Sequence, residues 1–453
     1  MELKQAKDLL EEYLPQCRDF LEQAARGMDY YQGRSSIIRR GMPGLEWMRQ
    51  WQRDNGKNPL RTADNRIPAN WHRILVDQKV GYLFTYPPRF DLQGGGAELN
   101  AQVRQCLGDC YEKVLRQLGT DASNAGRGWL CYWYDEGEPF GYWFVDPLEI
   151  TPVYDPTSIR PRLKAVIRQV RPAPAEQLKP GEIPPLRTEI WTDEELTVLV
   201  GEGDKMEVTQ VQPHRYGRPP FIEFPNNEAR AGDLLLYRPL VDAIDKVLSG
   251  MANDLDDIQE ILFVIRNYDG QTTSIDYVEQ PDGTVKEVPR QLSVLHKAKL
   301  EKYFSVSGDG GVEVLKAEIP YEARAAYLQM LTRQLYATAM AVDSAPERTG
   351  NQSGVYIEFL YSLLELKAGL METEFRPALA EFARAILRYL GEKRELVIQQ
   401  LWTRNKPRND TEVADILVKT PDEVLSPESK TRLHPLVEDW QAERELIKGR
   451  KEG

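Results

Sequence analysis

Three carboxylates crowd together at Asp254, Asp256 and Asp257, inside the stretch RPLVDAIDKVLSGMANDLDDIQEILFVIRNYDG that runs from Arg238 to Gly270. Carboxylates this dense could bind a divalent metal or share acid and base duties, the equipment of a metal-dependent nuclease. A metal centre needs ligands that converge, and His72, His214, His296 and His434 are scattered along the chain. Cys106 and Cys110 stand four apart, on one helical face with Leu99, Val103, Leu107, Val114 and Leu118, and read as core thiols. With Cys17 and Cys131 they complete a set of four that suits a reducing compartment. There is no G-x-S-x-G, H-E-x-x-H or P-loop pattern. The glycines of SGDGGVE, from Ser307 to Glu313, lack the spacing and lysine of a phosphate cradle and read as a turn. Lys297, Lys299 and Lys302 in HKAKLEK could touch phosphates, or could be ordinary surface lysines. The expectation is therefore no catalytic residue, no metal and no cofactor.

The element that carries the carboxylates says more than the carboxylates do. Leu240, Val241, Ile244, Val247, Leu248, Met251, Leu255, Ile258, Ile261, Leu262 and Ile265 recur in steps of three and four, the mark of an apolar helical stripe. Asp242, Asp245, Asp254, Asp257 and Glu260 fall on the other side. A helix over 233–266 would be roughly 50 Å long at 1.5 Å per residue, beyond the usual globular length.

The rest of the chain alternates helices with one β region. Residues 2–26 read as a helix that ends before Gly33. NWHRILVDQKVGYLFTYPP is a helix with Asn70 as N-cap, stopped by Pro87 and Pro88. The cysteine helix covers about 97–118. Residues 120–225 switch to period two: Trp129, Cys131 and Trp133, a turn, then Phe140, Tyr142 and Phe144 predict a hairpin with aromatic cross-strand pairs. RPAPAEQLKPGEIPP, 171–185, reads as a surface insert between strands. A turn-rich module at about 267–320 precedes a helix over 321–341. The polar stretch 342–354 follows, then a long helix to about 390 and a polar tail.

The 453 residues carry 58 Lys+Arg against 70 Asp+Glu, a net charge of −12. That balance argues against gripping nucleic acid nonspecifically, which needs neutralising cations. No run of 18 apolar residues is present, so no transmembrane helix is expected, and the amphipathic start does not resemble a signal peptide.

Taken in order, these parts resemble the portal proteins of tailed bacteriophages, in the branch typical of long non-contractile-tailed phages of Gram-positive hosts. The resemblance rests on YYQG (Tyr30 to Gly33), NRIPANWHRILVDQKVGYLFTYPP (65–88), DPLEITPVYD (146–155), FPNNE with Gly232 and Asp233, SGVYIEFLYSLLELKAGLMETEF (353–375) and SPESKTRLHPLVEDWQAERE (426–445). It implies an α+β portal fold and a ring, usually of twelve subunits, at one capsid vertex. Double-stranded DNA would be packaged through it by the terminase motor and later ejected. The partners it implies are the terminase large subunit, a head–tail adaptor, and the major capsid and scaffolding proteins. The location it implies is the virion, and the host cytoplasm during assembly.

The resemblance also assigns parts. The wing would be 1–230 with 355–395, the stem 231–266 with 321–341, the clip 267–320, the tunnel loop 342–354 and the crown 396–453. Asp343, Ser344, Glu347, Arg348, Thr349, Asn351 and Gln352 would then lie near DNA in the tunnel loop. The stem carboxylates Asp242, Asp245, Asp254, Asp257 and Glu260 would face the channel and let the duplex slide by repulsion. The lysine patch would belong to the clip, and none of these assignments adds a catalytic group or a metal. A nucleic-acid-processing enzyme built on Asp254, Asp256, Asp257 and a metal stays open as the alternative, as does a monomeric adaptor.

Overall fold

The structure is a computed structural model, and it describes residues 1–40, 63–135, 138–159, 161–171, 184–258, 262–265, 275–279, 285–289, 312–315, 321–343, 354–405, 410–433 and 437. The chain divides into two compact units. One holds Met1–Ser35, Pro68–Ala243 and Met330–Gly453; the other holds Ser36–Ile67 and Ile244–Gln329. The elements are helices and antiparallel strands, the α+β class that the sequence predicts.

The first unit opens with helix α1, Leu3–Tyr31. It runs five residues past the predicted end, because Ala24, Gly27 and Tyr30 continue its buried side. Gly27 is required there: a Cβ would sit 2.0 Å from the Asn124 carbonyl oxygen. A short helix α2, Ser36–Arg40, belongs to the second unit. Helix α3, Trp71–Phe84, begins after Asn70, which is left-handed (φ 55, ψ 26) and makes no side-chain cap. Asn70 thus stands at the predicted N-cap position, and its carbonyl accepts from the Ile74 N–H at 3.3 Å, without a cap from its side chain.

The predicted cysteine helix is two helices. Strand β1, Arg89–Gln93, leads to α4, Gly96–Leu107, and α5, Tyr111–Ala125. Gly108, at φ 56, breaks the run between them. With ψ at −165 this is a backbone conformation essentially confined to glycine, and it outweighs the continuous apolar pattern around it. Cys106 and Cys110 pack against the core from these two helices, and all four cysteines are free thiols, half-buried.

The β region forms two antiparallel sheets. Strands β2 (Arg127–Trp133), β3 (Gly141–Val145) and β9 (Phe221–Pro225) make a three-stranded sheet in the order β3-β2-β9. Strands β4 (Ile150–Tyr154), β5 (Leu163–Val170), β6 (Arg187–Trp191), β7 (Glu195–Val200) and β8 (Glu207–Pro213) form a five-stranded meander in chain order. The predicted hairpin is present, with a different aromatic face. Tyr132 pairs with Tyr142 and Leu130 with Phe144, while Trp133 is half exposed. Most of the proline-rich insert, 172–183, lies outside the described residues, but its flanks β5 and β6 pair directly.

Three apolar clusters join these layers. Ala6 and Leu10 of α1 pack on Val153, Ala165, Ile167, Ile190 and Leu199 of the meander. Trp129, Ile150, Val166 and Phe221 bridge the two sheets. The largest core gathers α3, α4, α5, the small sheet and the long helix α8, Gly354–Tyr389, around Phe84, Phe224, Phe375 and Phe382. Strand β14, Val397–Leu401, pairs antiparallel with β1, so the segment after α8 returns to the same unit.

Helix α6 covers Leu234–Ile258 and is about 38 Å long. Here the prediction is corrected: the apolar run continues past Ile258, but Leu262–Ile265 is strand β10. Steps of three and four cannot distinguish a helix end from a short apolar strand. In the second unit β10 pairs with β13, Val312–Leu315, and β11, Ile275–Glu279, pairs with β12, Val285–Pro289. Helix α7 covers Tyr321–Ala339. The described chain closes with α9, Asp410–Lys419, and α10, Pro427–Leu433. Among the described residues no helix is long and apolar enough to cross a membrane.

Candidate functional site

The lead into α6 is a turn built by asparagines. Asn226 Nδ2 donates to the Ala231 carbonyl and to Asp233 Oδ1, each at 2.8 Å. Asn227 accepts from the Ala231 N–H at 3.1 Å and donates to the Ala231 carbonyl at 2.8 Å. Arg230 adopts φ 54 within this turn, and the Asp233 N–H donates to the Ser123 carbonyl at 2.8 Å. The result is a carboxylate, Asp233, delivered into the interior at the head of α6, 4% exposed.

Two ammonium groups meet it. Lys79 Nζ of α3 is 2.6 Å from Asp233 Oδ2, and Lys367 Nζ of α8 is 3.1 Å from the same oxygen. Lys79 also donates to Asn226 Oδ1 at 2.8 Å, and Lys367 to the Ala339 carbonyl at 3.0 Å. Burial by itself would raise the Asp233 carboxyl, but Lys367 and Lys79 hold it well below the usual carboxylate range. Burial lowers the Lys79 ammonium to about 8 against the pull of Asp233. Next to the trio, His72 Nδ1 is 2.8 Å from the Tyr237 hydroxyl, and burial lowers the imidazole to about 4, so it is neutral near pH 7. Buried charges are tolerated when paired and hydrogen-bonded. This group ties three helices together.

Farther along α6 the predicted acidic face divides into separate contacts. Asp242 accepts from the Tyr30 hydroxyl at 2.5 Å and lies 3.8 Å from Arg238. Asp245 is 1% exposed, in line with buried Ser249 and Asn253. That corrects its predicted place on the channel side: a group enclosed in its own subunit has no face for a lumen. Asp254 pairs with Arg324 at 2.5 Å. The side chains of Asp257 and Glu260 lie outside the described residues.

Within the second unit, residues 65–67 are fastened along α6. The Ile67 N–H donates to Ser249 Oγ at 3.0 Å, the Asn65 N–H to Asn253 Oδ1 at 2.6 Å, and Asn65 Nδ2 to Asp256 Oδ2 at 2.6 Å. Positions 249, 253 and 256 form one helical stripe, so this polar side of the helix is a seat for its own chain. Asp254 and Asp256, the imagined metal ligands, are each engaged elsewhere. Among the described residues no group of three or more His, Cys, Asp or Glu is placed to hold a metal.

The start of the 342–354 loop is fixed from two sides. Helix α7 ends in a turn with Met340 at φ 52, and the Ala341 N–H donates to the Tyr336 carbonyl at 3.0 Å. Gln78 then brackets the next residue: the Val342 N–H donates to Gln78 Oε1 at 3.0 Å, and Gln78 Nε2 donates to the Val342 carbonyl at 2.9 Å. Asp343 closes the described segment. Ser344, Glu347, Arg348, Thr349, Asn351 and Gln352 lie outside the described residues, as do Lys297, Lys299 and Lys302.

Sequence reasoning missed Gln78, Lys79, Asn226, Asp233 and Lys367 as a connected group. A signal was present: Lys79 lies among Leu75, Val76, Val80 and Leu83, and Lys367 among Leu364, Ala368 and Met371, all of them buried. A charge on the apolar side of a helix asks for a buried counter-charge, although spacing cannot say where that partner is.

Comparison with known proteins places the whole arrangement. The family described as "Phage portal protein, SPP1 Gp6-like" matches residues 11–453. A portal protein of Clostridium phage phiCD119 is 36% identical over 442 residues, 94% of this chain and 92% of that one. The portal protein of Bacillus phage SPP1 is 28% identical over 444 residues, 93% of this chain and 82% of that one. Among solved structures, "Neck of native GTA particle computed with C12 symmetry" aligns at 13% identity with a TM-score of 0.38, covering 87% of this chain and 94% of that one. This chain belongs to the phage portal protein family, in its SPP1 Gp6-like branch.

Proposed function

We propose that this protein is the portal of a tailed phage: copies assemble as a ring at one vertex of the capsid, and double-stranded DNA enters and leaves through the central channel. The observation that carries this reading is the family match from residue 11 to residue 453, with 36% identity to a portal protein along almost the full length of both. The protein acts as a conduit, without a catalytic step of its own; the terminase large subunit supplies the work of packaging. The engaged states of Asp254 and Asp256 speak against a metal-dependent nuclease.

In this reading α6 and α7 are the stem, 267–320 the clip toward motor or adaptor, 342–354 the tunnel loop, and 396–453 the crown. Capsid and scaffolding proteins would contact the wing. Asp242, partly exposed, and the carboxylates Asp254, Asp257 and Glu260 remain the channel-facing candidates, with Asp245 removed. The loop residues Asp343, Ser344, Glu347, Arg348, Thr349, Asn351 and Gln352 are proposed to come near DNA, and Lys297, Lys299 and Lys302 to lie in the clip. Ring closure needs two different faces on each subunit, matched in angle. Negative-stain images of the purified protein should show rings of about a dozen subunits under some assembly condition, high concentration or added scaffold included. A chain that stays single under all of them would defeat the proposal.

A further inference from the structure

We infer that Lys367 is a positioning residue that couples the base of the 342–354 loop to the head of α6, so that the setting of the loop's first residues follows the seating of that helix. That this loop faces DNA rests on the function proposed above; the coupling itself does not.

The argument starts from one ammonium group with two unlike partners. Lys367 Nζ lies 3.1 Å from Asp233 Oδ2 and donates at 3.0 Å to the Ala339 carbonyl. Asp233 precedes the first residue of α6, and Ala339 is the last residue of α7. A helix ends with carbonyls that have no partner within it, and Lys367 caps one of them from inside the protein. Three residues later Gln78 takes both backbone groups of Val342. Gln78 is the chain neighbour of Lys79, whose ammonium holds the same Asp233 oxygen at 2.6 Å. Val342 also packs in the largest apolar core and the Ala341 N–H is held by the Tyr336 carbonyl, but the two side-chain restraints on the backbone of 339–342 lead back to Asp233, one through Lys367 and one through α3.

Water cannot substitute readily for these contacts. Lys79 is 1% exposed, Asp233 4% and Lys367 8%. If Asp233 moved, Lys367 would keep a buried charge with only a carbonyl to satisfy it. It would follow the carboxylate or lose its hold on Ala339. A surface lysine would swing into solvent and transmit nothing. The other charged or titratable groups facing the trio are few: His72 is neutral near pH 7, and the Tyr237 ring lies 5.7 Å from Lys367 Nζ.

The test is amide hydrogen exchange on the full-length chain, read at Ala341 and Val342. Lys367→Met should speed exchange there at least tenfold while the β5–β6 ladder is unchanged. Asp233→Asn, which alters no direct contact of 339–342, should speed the same two amides. Should Asp233→Asn not fold, Asn226→Ala, which removes the side-chain contacts to Asp233, Lys79 and the Ala231 carbonyl but touches nothing in 339–342, should speed them about threefold. Acceleration in Lys367→Met with none in the Asp233 or Asn226 variants would reduce Lys367 to a local cap and overturn the coupling. No acceleration in Lys367→Met would overturn it as well. Neither a ring nor DNA enters the measurement, so its outcome is separate from that of the portal reading.

Discussion

Asp121 shows how one residue can set the pH dependence of this subunit. It is 4% exposed in α5 and accepts from Gln117 Nε2 at 2.8 Å. Burial raises its carboxyl to about 7, with Asp146 adding to the rise and Gln117 opposing it. The folded state thus holds a proton that the unfolded chain releases near the ordinary carboxylate value. The stability from that proton is complete below about pH 4 and lost as pH rises toward 7. Asp121→Asn keeps the acceptor for Gln117 and removes the ionisation. The variant should be more stable than the parent at pH 8, by about 1–3 kcal/mol on the scale of a buried group's desolvation, and equal to it near pH 4. Urea melts at the two pH values check this. His72 has the opposite slope: its imidazole is neutral when folded, so its contribution is complete above about pH 6.5 and is lost as pH falls toward 4.

At the scale of elements, two junctions carry separate predictions. Gly126 ends α5 at φ 87, and a Cβ there would lie 2.0 Å from the Arg230 carbonyl oxygen. Gly126→Ala should destabilise the fold by more than about 2 kcal/mol, since left-handed backbone and a backbone clash add. It should do so by displacing the 226–233 turn that seats Asp233, which thermal melts and exchange at the Asp233 amide would register. On α6, Leu255 is 52% exposed within the subunit. Leu255→Asp should therefore leave the isolated chain within about 0.5 kcal/mol of the parent. It should still block ring assembly, because it puts a charge into an apolar contact between copies. Normal rings from Leu255→Asp in electron micrographs would show that the contact uses another side of the helix.

At the scale of the whole molecule, the frame and the described start of the 342–354 stretch share one core. Sheets, α1 and α8 bury continuous apolar clusters; Val342 joins the largest of them, while Gln78 and Lys367 hydrogen-bond the backbone of 339–342. Deleting 344–352 should leave the melting temperature within a few degrees and the ring intact, yet reduce packaged DNA in an infection assay by tenfold or more. Packaging at the parental level would remove the tunnel role from that loop. The assay reads the ring as a conduit; the exchange experiment above reads only the subunit.

The sequence by itself determined the class and the family. Apolar periodicity is local, so α1, α3, α8, the β2–β3 hairpin and most of α6 could be read from spacing, and the ordered motifs pointed to portals before any contact was visible. Local pattern misled where one residue or a distant strand decided the outcome. Gly108 split a helix through its backbone angle, and β13 drew the end of the α6 stripe into a sheet. Only the tertiary structure decided which charges are free. Asp245 looks like its exposed neighbours in sequence but is enclosed, and Asp254 and Asp256 find Arg324 and Asn65 at distances no spacing rule encodes. The Asp233 trio draws its members from positions 79, 233 and 367. A buried charge requires a partner, but folding chooses which one.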